Sequence, residues 1–174
     1  GQTNERLARV ISDVLDLARI EHGQFPVSVQ PCGLQELLTS AAQDIEAERT
    51  RKGLTLTHEG AQDFTVAVDP EGARRILVTL LRNAVQYTED GGITLTVSEQ
   101  QDRIVVTVQD TGVGVHPEQT TALFSRPNPG TLLHGRGVSL WLARSIGKLM
   151  HSVVVLVSSE LTRGSTFAVT FPRG

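Results

Sequence analysis

What this chain lacks already narrows its function. It has a single cysteine, Cys32. An internal disulfide and a thiolate metal cluster are therefore both excluded, which agrees with a reducing compartment. No stretch approaches the roughly 18 consecutive apolar residues that a membrane span needs, and no signal-peptide pattern opens the chain. Neither sign of charge dominates: the formal net charge is −3, so nothing global draws the chain to nucleic acid or to an anionic membrane. The five histidines, His22, His58, His116, His134 and His151, are scattered. None sits at a ligand spacing from another His or from Cys32, so they predict no metal centre. Internal repeats and low-complexity tracts are also missing.

What remains is an ordinary globular composition, 39% hydrophobic and 20% charged over 174 residues, enough for one domain with a modest appendage. The chain opens on Gly1 rather than Met; a membrane anchor of the parent protein would lie outside it. The segment ERLARVISDVLDLARIEHG carries Leu7, Val10, Ile11, Val14 and Ala18 at helical spacing, and Gly23 and Pro26 end it. This stripe fits a helix packed on its own domain or, as the favoured reading, part of a helical bundle. FPVSVQP alternates and reads as a short strand. LQELLTSAAQDIEAERTRKG predicts a helix that stops at Gly53, and LTLTHEG and FTVAVD two further strands. From Pro70 the core helix is plainest: Ala73, Ile76, Leu77, Leu80, Leu81 and Ala84 recur at helical spacing. GGITLTVSEQQDRIVVTVQD reads as a hairpin. Residues 111–136 show no clear period and predict a long loop, the kind that in a compact domain is functional or disordered. GVSLWLARSIGKLM predicts a last helix, and VVVLVSS and STFAVTFP two final strands. Hairpins with about three long helices predict an α+β fold, a two-layer sandwich with one mixed sheet and helices on one face.

Three places can carry chemistry. On the helix after Pro70, Thr79, Asn83 and Gln86 form a polar stripe beside the apolar face, with Tyr87 following; such a stripe fits a solvated surface or a cleft wall equally. Asp110, Thr111, Gly112, Val113 and Gly114 follow the second hairpin strand. Glycines there let backbone approach a flat ligand, and a carboxylate can accept a hydrogen bond from an exocyclic amine. Gly135, Arg136, Gly137, Val138, Ser139 and Leu140 open the last helix, where free backbone N–H groups at the positive end of the helix dipole can hold an anion.

The order of these motifs carries more than any one of them. LLRNAVQYT, DTGVG, a loop containing LF, GRGVSLWLARSIGKLM and GSTFAVTFP together resemble the ATP-binding catalytic domain of sensor histidine kinases, which shares its fold with gyrase, heat-shock chaperone and mismatch-repair ATPases. The resemblance covers residues 24–174; residues 1–23, with IEHGQF at their junction (residues 20–25), resemble the end of the second dimerisation helix of such kinases. It implies ATP and Mg²⁺ as cofactors. Asn83 then carries the catalytic and metal role, Asp110 binds the adenine amine, and Gly112 and Gly114 flank the base. Tyr87 packs beside the base, and Phe124 anchors a lid at residues 115–134. Gly135, Arg136, Gly137, Val138, Ser139 and Leu140 form the phosphate loop, and Thr166 lines the adenine pocket. The implied function is transfer of the γ-phosphoryl of Mg-ATP to a histidine on a separate helical domain of the same kinase, in two-component signalling. A response regulator would be the onward partner, nucleic acid is not a partner, the full-length protein would be a homodimer, and the compartment would be the cytoplasm.

The chain departs from the family pattern at Thr79, where a second Asn is usual, at Gln86 in place of Lys, at Ser139 in place of Gly, and at His151, Ser152 and Val153 in place of His-Gly-Gly. Arg82, Arg126 and Arg136 are candidates to restore the lost charge. No phosphoacceptor is visible, since His22 is followed by Gly23 and reads as a helix-terminal residue. The departures at Thr79, Gln86 and Ser139 leave an alternative function, a degenerate, weakly or non-nucleotide-binding regulatory module that resembles a histidine kinase. A water-activating ATPase needs an acid four residues before Asn83; Thr79 stands there.

Overall fold

The computed structural model describes residues 2–120, 122–126 and 138–174. In chain order they form α1 (Gln2–Glu21), β1 (Gln30–Gly33), α2 (Leu34–Lys52), β2 (Thr55–Glu59), β3 (Thr65–Val68), α3 (Pro70–Gln86), β4 (Gly92–Gln100) and β5 (Arg103–Asp110). A 3₁₀ turn at Pro117–Gln119 follows, then α4 (Val138–Leu149), β6 (Val153–Glu160) and β7 (Gly164–Pro172).

Local chemistry sets the helix limits. Asp69 caps α3: its Oδ2 accepts from the Gly72 N–H at 2.7 Å, and Pro70, which needs no donor, takes the first helical position. The other oxygen of Asp69 accepts from Ser28 N–H at 3.0 Å, so one side chain starts the core helix and pins the segment after α1. Helix α2 stops at Gly53, which adopts φ 70° and returns its N–H to Arg49 and Thr50; the left-handed conformation there favours glycine.

The main sheet has the order β2-β4-β5-β7-β6. Strand β2 runs parallel to β4 and the remaining pairs are antiparallel, so the sheet is mixed, as the sequence predicts. Its inward rows are Ile93, Leu95 and Val97 on β4, Ile104, Val106 and Val108 on β5, and Phe167, Val169 and Phe171 on β7. They meet Leu77, Leu80 and Leu81 of α3 and Ile146 of α4 in one core. Each such side chain contributes about 1.5–3 kcal/mol by leaving water. The opposite face carries Thr94, Thr96, Thr107 and Gln109, none of them buried, which gives two layers with helices on one side.

Two expectations change. β1 and β3 stand apart from the main sheet as an antiparallel pair, with Gln30 opposite Val68 and Gly33 opposite Thr65. The FPVSVQP strand shifts late. Residues 24–29 have no ladder partner and Val29 is exposed; alternation alone does not make a strand where no neighbour offers hydrogen bonds.

Helix α1 meets the body along α4 and through Ile20, which packs against the core, and it adds ion pairs to α2 and α3. Arg75 of α3 forks between Asp13, at 2.8 Å, and Asp16, while Arg9 pairs with Glu48 of α2 at 3.8 Å. Asp16 is buried, whereas Leu7, Ile11, Val14 and Leu15 are exposed along the same helix. Burial pushes the Asp13 carboxyl above its ordinary value, against the opposing pull of Arg75. No helix among the described residues is long and apolar enough to cross a membrane.

Candidate functional site

The sheet brings the sequence-predicted residues to one end of the core. Along β5 the inward positions run Ile104, Val106, Val108 and then Asp110, which pairs in register with Ile93. A carboxylate thus takes the last place in an apolar row. It is only 4% exposed, and burial raises its pKa above the ordinary 3.8 although two backbone bonds pull the other way. Those bonds come from Gly112 N–H at 2.9 Å and Ser165 N–H at 3.2 Å, and both end on Oδ1. Oδ2 accepts no hydrogen bond from any described residue and is the acceptor left for the pocket.

Asn83 and Tyr87 lie one turn apart at the end of α3, so they share a face. With Asp110, Gly114, Val115, Leu123, Leu140, Ser165 and Phe167 they line one pocket. The space between them is about 10 Å³, room for one water molecule. The Asn83 amide has no hydrogen-bond partner among the described residues. No cluster of three or more His, Cys, Asp or Glu side chains that could hold a metal ion occurs among them either.

The glycines of DTGVG are there for close approach. A Cβ on Gly112 would lie 2.1 Å from the carbonyl oxygen of Tyr87, and one on Gly114, at φ 75°, would lie 2.3 Å from that of Glu160. Gly164 does the same from the other side, at φ 107° with a Cβ position 1.9 Å from the Asp110 carbonyl oxygen. Backbone is thereby packed against backbone around the carboxylate. Phe124 meets Phe167 edge-on with centroids 6.2 Å apart, and the Arg144 guanidinium sits 5.3 Å over the Phe124 ring.

Not every predicted residue reaches the pocket. Thr166 sits between two lining residues but is not one: strand alternation turns Ser165 and Phe167 inward and Thr166 outward. Val138 is buried and Leu140 lines the pocket from α4; Ser139 lies half-buried between them and outside the lining. Gly135, Arg136, Gly137 and all of residues 127–134 lie outside the described residues. Gln86 is exposed and away from the lining. Arg82 lies outside the lining too; its surroundings are Arg9, Asp13, Asp44 and Glu48, and burial lowers its pKa. Arg126 pairs with Glu21 of α1 at 2.6 Å. Sequence reasoning missed Ser165, Val115, Leu123 and Phe167. The period of two on β7 could have found Ser165 and Phe167; Val115 and Leu123 sit in a stretch without period.

Known proteins resemble this chain in sequence and in fold. The chain is 33% identical over 181 residues to the circadian input-output histidine kinase CikA of Synechococcus elongatus, covering 98% of this chain and 24% of that protein. It is 28% identical over 173 residues to the sensor histidine kinase MtrB of Mycolicibacterium paratuberculosis, covering 97% and 31%. The chain thus spans about a quarter to a third of these relatives' length. Full-length ShkA, solved in complex with AMPPNP, superposes with a TM-score of 0.85 at 26% identity, over 99% of this chain and 37% of that one. The catalytic domain of histidine kinase ThkA matches in fold, with a TM-score of 0.72 at 19% identity over 84% of this chain and 96% of that one. Residues 68–174, more than half of the chain, match the family described as histidine kinase-, DNA gyrase B-, and HSP90-like ATPase, and the chain belongs to that family.

Proposed function

We propose that this chain binds Mg-ATP in the pocket between α3, α4 and the ends of β5 and β7, and that it serves as the phosphoryl donor of a histidine kinase in two-component signalling. The observation that carries the reading is Asp110. It is a buried carboxylate fixed through one oxygen by two backbone donors, with its second oxygen left for a ligand donor. The exocyclic amine of adenine is such a donor. Tyr87 and Phe167 supply flat apolar contact for the base. The space is small beside a purine, and the base enters as the lining, Leu123 among it, gives way.

The residues present fit Mg²⁺. Its preference for few protein ligands and several substrate oxygens matches the one unpartnered amide of Asn83 and the lack of an acidic cluster among the described residues. Bound there with the phosphates, the ion would supply positive charge as the γ-phosphoryl leaves. Asn83 orients the triphosphate tail, Asp110 fixes the base, and the N-terminal end of α4, from which Leu140 lines the pocket, would offer its positive dipole end to the phosphates. In the transfer, the bond between the γ-phosphorus and the bridging oxygen breaks, a bond to a histidine nitrogen forms, and ADP leaves.

Residues 1–23 are read as the end of the second dimerisation helix and residues 24–174 as the catalytic domain. The exposed row Leu7, Ile11, Val14 and Leu15 supports this, since it offers α1 a helical partner. The acceptor histidine would belong to the helical domain of the same homodimeric kinase, and a response regulator would take the phosphoryl onward. A second reading, a regulatory module that no longer turns ATP over, is favoured by the absence of any cation among the described lining residues. Calorimetric titration with ATP and Mg²⁺ tests the first reading, and no binding would refute it. Phosphoryl transfer to the separately supplied helical domain then separates a kinase from a silent module.

A further inference from the structure

Helix α3 ends without a basic residue in its last turn, although its final carbonyls are the orphans of any helix end and carry partial negative charge. The missing cation arrives from α2. Lys52 Nζ donates to the carbonyl oxygens of Val85 at 2.9 Å, Gln86 at 3.1 Å and Thr88 at 3.3 Å, and it meets the Glu89 carboxylate at 3.3 Å. Its side chain is 29% exposed, against 81% for Glu89, so the carbonyls and not the acid form the sheltered part of the contact. The end of α2 is itself fixed: Leu54 N–H returns to the Arg49 carbonyl, and the Arg49 guanidinium donates to the Leu54 carbonyl at 2.8 Å.

The corner that Lys52 ties down carries the site. Between Gln86 and Thr88 sits Tyr87, whose carbonyl accepts from Val113 N–H at 3.1 Å and against which Gly112 packs without room for a Cβ. Gly112 N–H in turn holds Asp110 Oδ1. Thr88 is fully buried. A shift of the Tyr87–Thr88 corner therefore moves the backbone that aims Asp110.

We propose that Lys52 is a positioning residue for the nucleotide pocket: its ammonium holds the α3 C-terminal carbonyls so that Tyr87, Gly112 and Asp110 keep the geometry that receives adenine. This rests on the nucleotide reading above. The experiment compares the wild-type chain with Lys52→Met, Lys52→Arg and Glu89→Ala, all well below their melting points. ATP with Mg²⁺ is titrated by calorimetry, and amide exchange at Val113 and Gly112 is followed without nucleotide. Lys52→Met should weaken ATP binding by roughly 5- to 30-fold and speed exchange at both amides. Lys52→Arg, which keeps cationic donors, should recover most of both. Glu89→Ala should change affinity by no more than about twofold, since its ion pair is exposed. A merely stabilising Lys52 would lower the melting point and leave the affinity of the folded protein unchanged; that result overturns the proposal. If the wild-type chain binds no ATP, the nucleotide reading falls instead, and unchanged exchange at Val113 in Lys52→Met separately refutes the hold on the corner. Should Lys52→Met fail to fold, Lys52→Gln, neutral but still a donor, reads the same quantities.

Discussion

Replacing Asp110 by Asn isolates one oxygen. Both backbone donors, from Gly112 and Ser165, end on Oδ1, and the amide keeps an acceptor there. What changes is the other position, where an acceptor becomes an NH₂ donor. The buried pocket thus keeps its shape and loses its complement to an amine. A hydrogen bond to a charged group is worth about 1.5–3 kcal/mol, and about 1.4 kcal/mol is a decade of affinity, so ATP binding should weaken by roughly 10- to 150-fold. Inosine triphosphate, which carries a carbonyl where ATP has the amine, should respond in the opposite sense, because the new NH₂ can donate to it. The ratio of the two affinities should therefore fall by more than the ATP loss alone. Without nucleotide the melting temperature should hold or rise, since burial already penalises the ionised Asp110. Calorimetry with both nucleotides and a thermal scan supply the data. Equal loss for ATP and inosine triphosphate, or no loss for either, refutes the base contact.

The same carboxyl gives a pH dependence with a definite sign. Its folded pKa lies above the ordinary 3.8, so the folded state holds the proton more tightly, and its contribution to stability grows as pH falls through that raised value. In urea titrations the advantage of Asp110→Asn over the wild type should be largest near neutrality and shrink toward acid; an advantage that grows on acidification contradicts this. Gly112→Ala places a Cβ 2.1 Å from the Tyr87 carbonyl oxygen and should cost about 1–3 kcal/mol by overpacking, read as a lower denaturation midpoint at unchanged slope; an unshifted midpoint would show that the corner yields. Asn83→Ala should abolish the Mg²⁺ dependence of ATP binding together with most of the affinity, measured by titration with and without a chelator, and a wild type indifferent to chelation removes Asn83 from the metal role.

Much of the site is legible in the sequence because it lies on periodic elements. Ile104, Val106 and Val108 alternate inward, and the same count of two brings Asp110 to the inner face, where a carboxylate stands out. The helical count along α3 likewise puts Asn83 and Tyr87 one turn apart beside the apolar face. The same arithmetic, carried back from Phe171, Val169 and Phe167, reaches Ser165 and passes over Thr166; resemblance to a motif had no such parity. Other parts rest on contacts that no local pattern encodes. Lys52 reaches carbonyls 33 to 36 positions ahead of it, and an ordinary lysine at the end of a helix reads as solvated. Val27 and Val29 alternate like a strand, yet Ser28 between them donates its N–H to the helix cap Asp69 and not to a neighbouring strand, a contact that lies 41 positions away.

The joint between α1 and the body includes a seam of ions, with Arg75 between Asp13 and Asp16 and Arg9 beside Glu48, alongside the packing of Ile20 on the core, while Leu7, Ile11, Val14 and Leu15 are exposed. Hydrocarbon seams grip whatever the buffer; a seam of charges answers to it. The range of an exposed charge contracts from about 10 Å at 0.1 M salt to about 3 Å at 1 M, and removing one member of a buried pair strands the other. The helix is thus held in one register when seated, and how firmly it sits becomes a variable of the surrounding solution as much as of the chain.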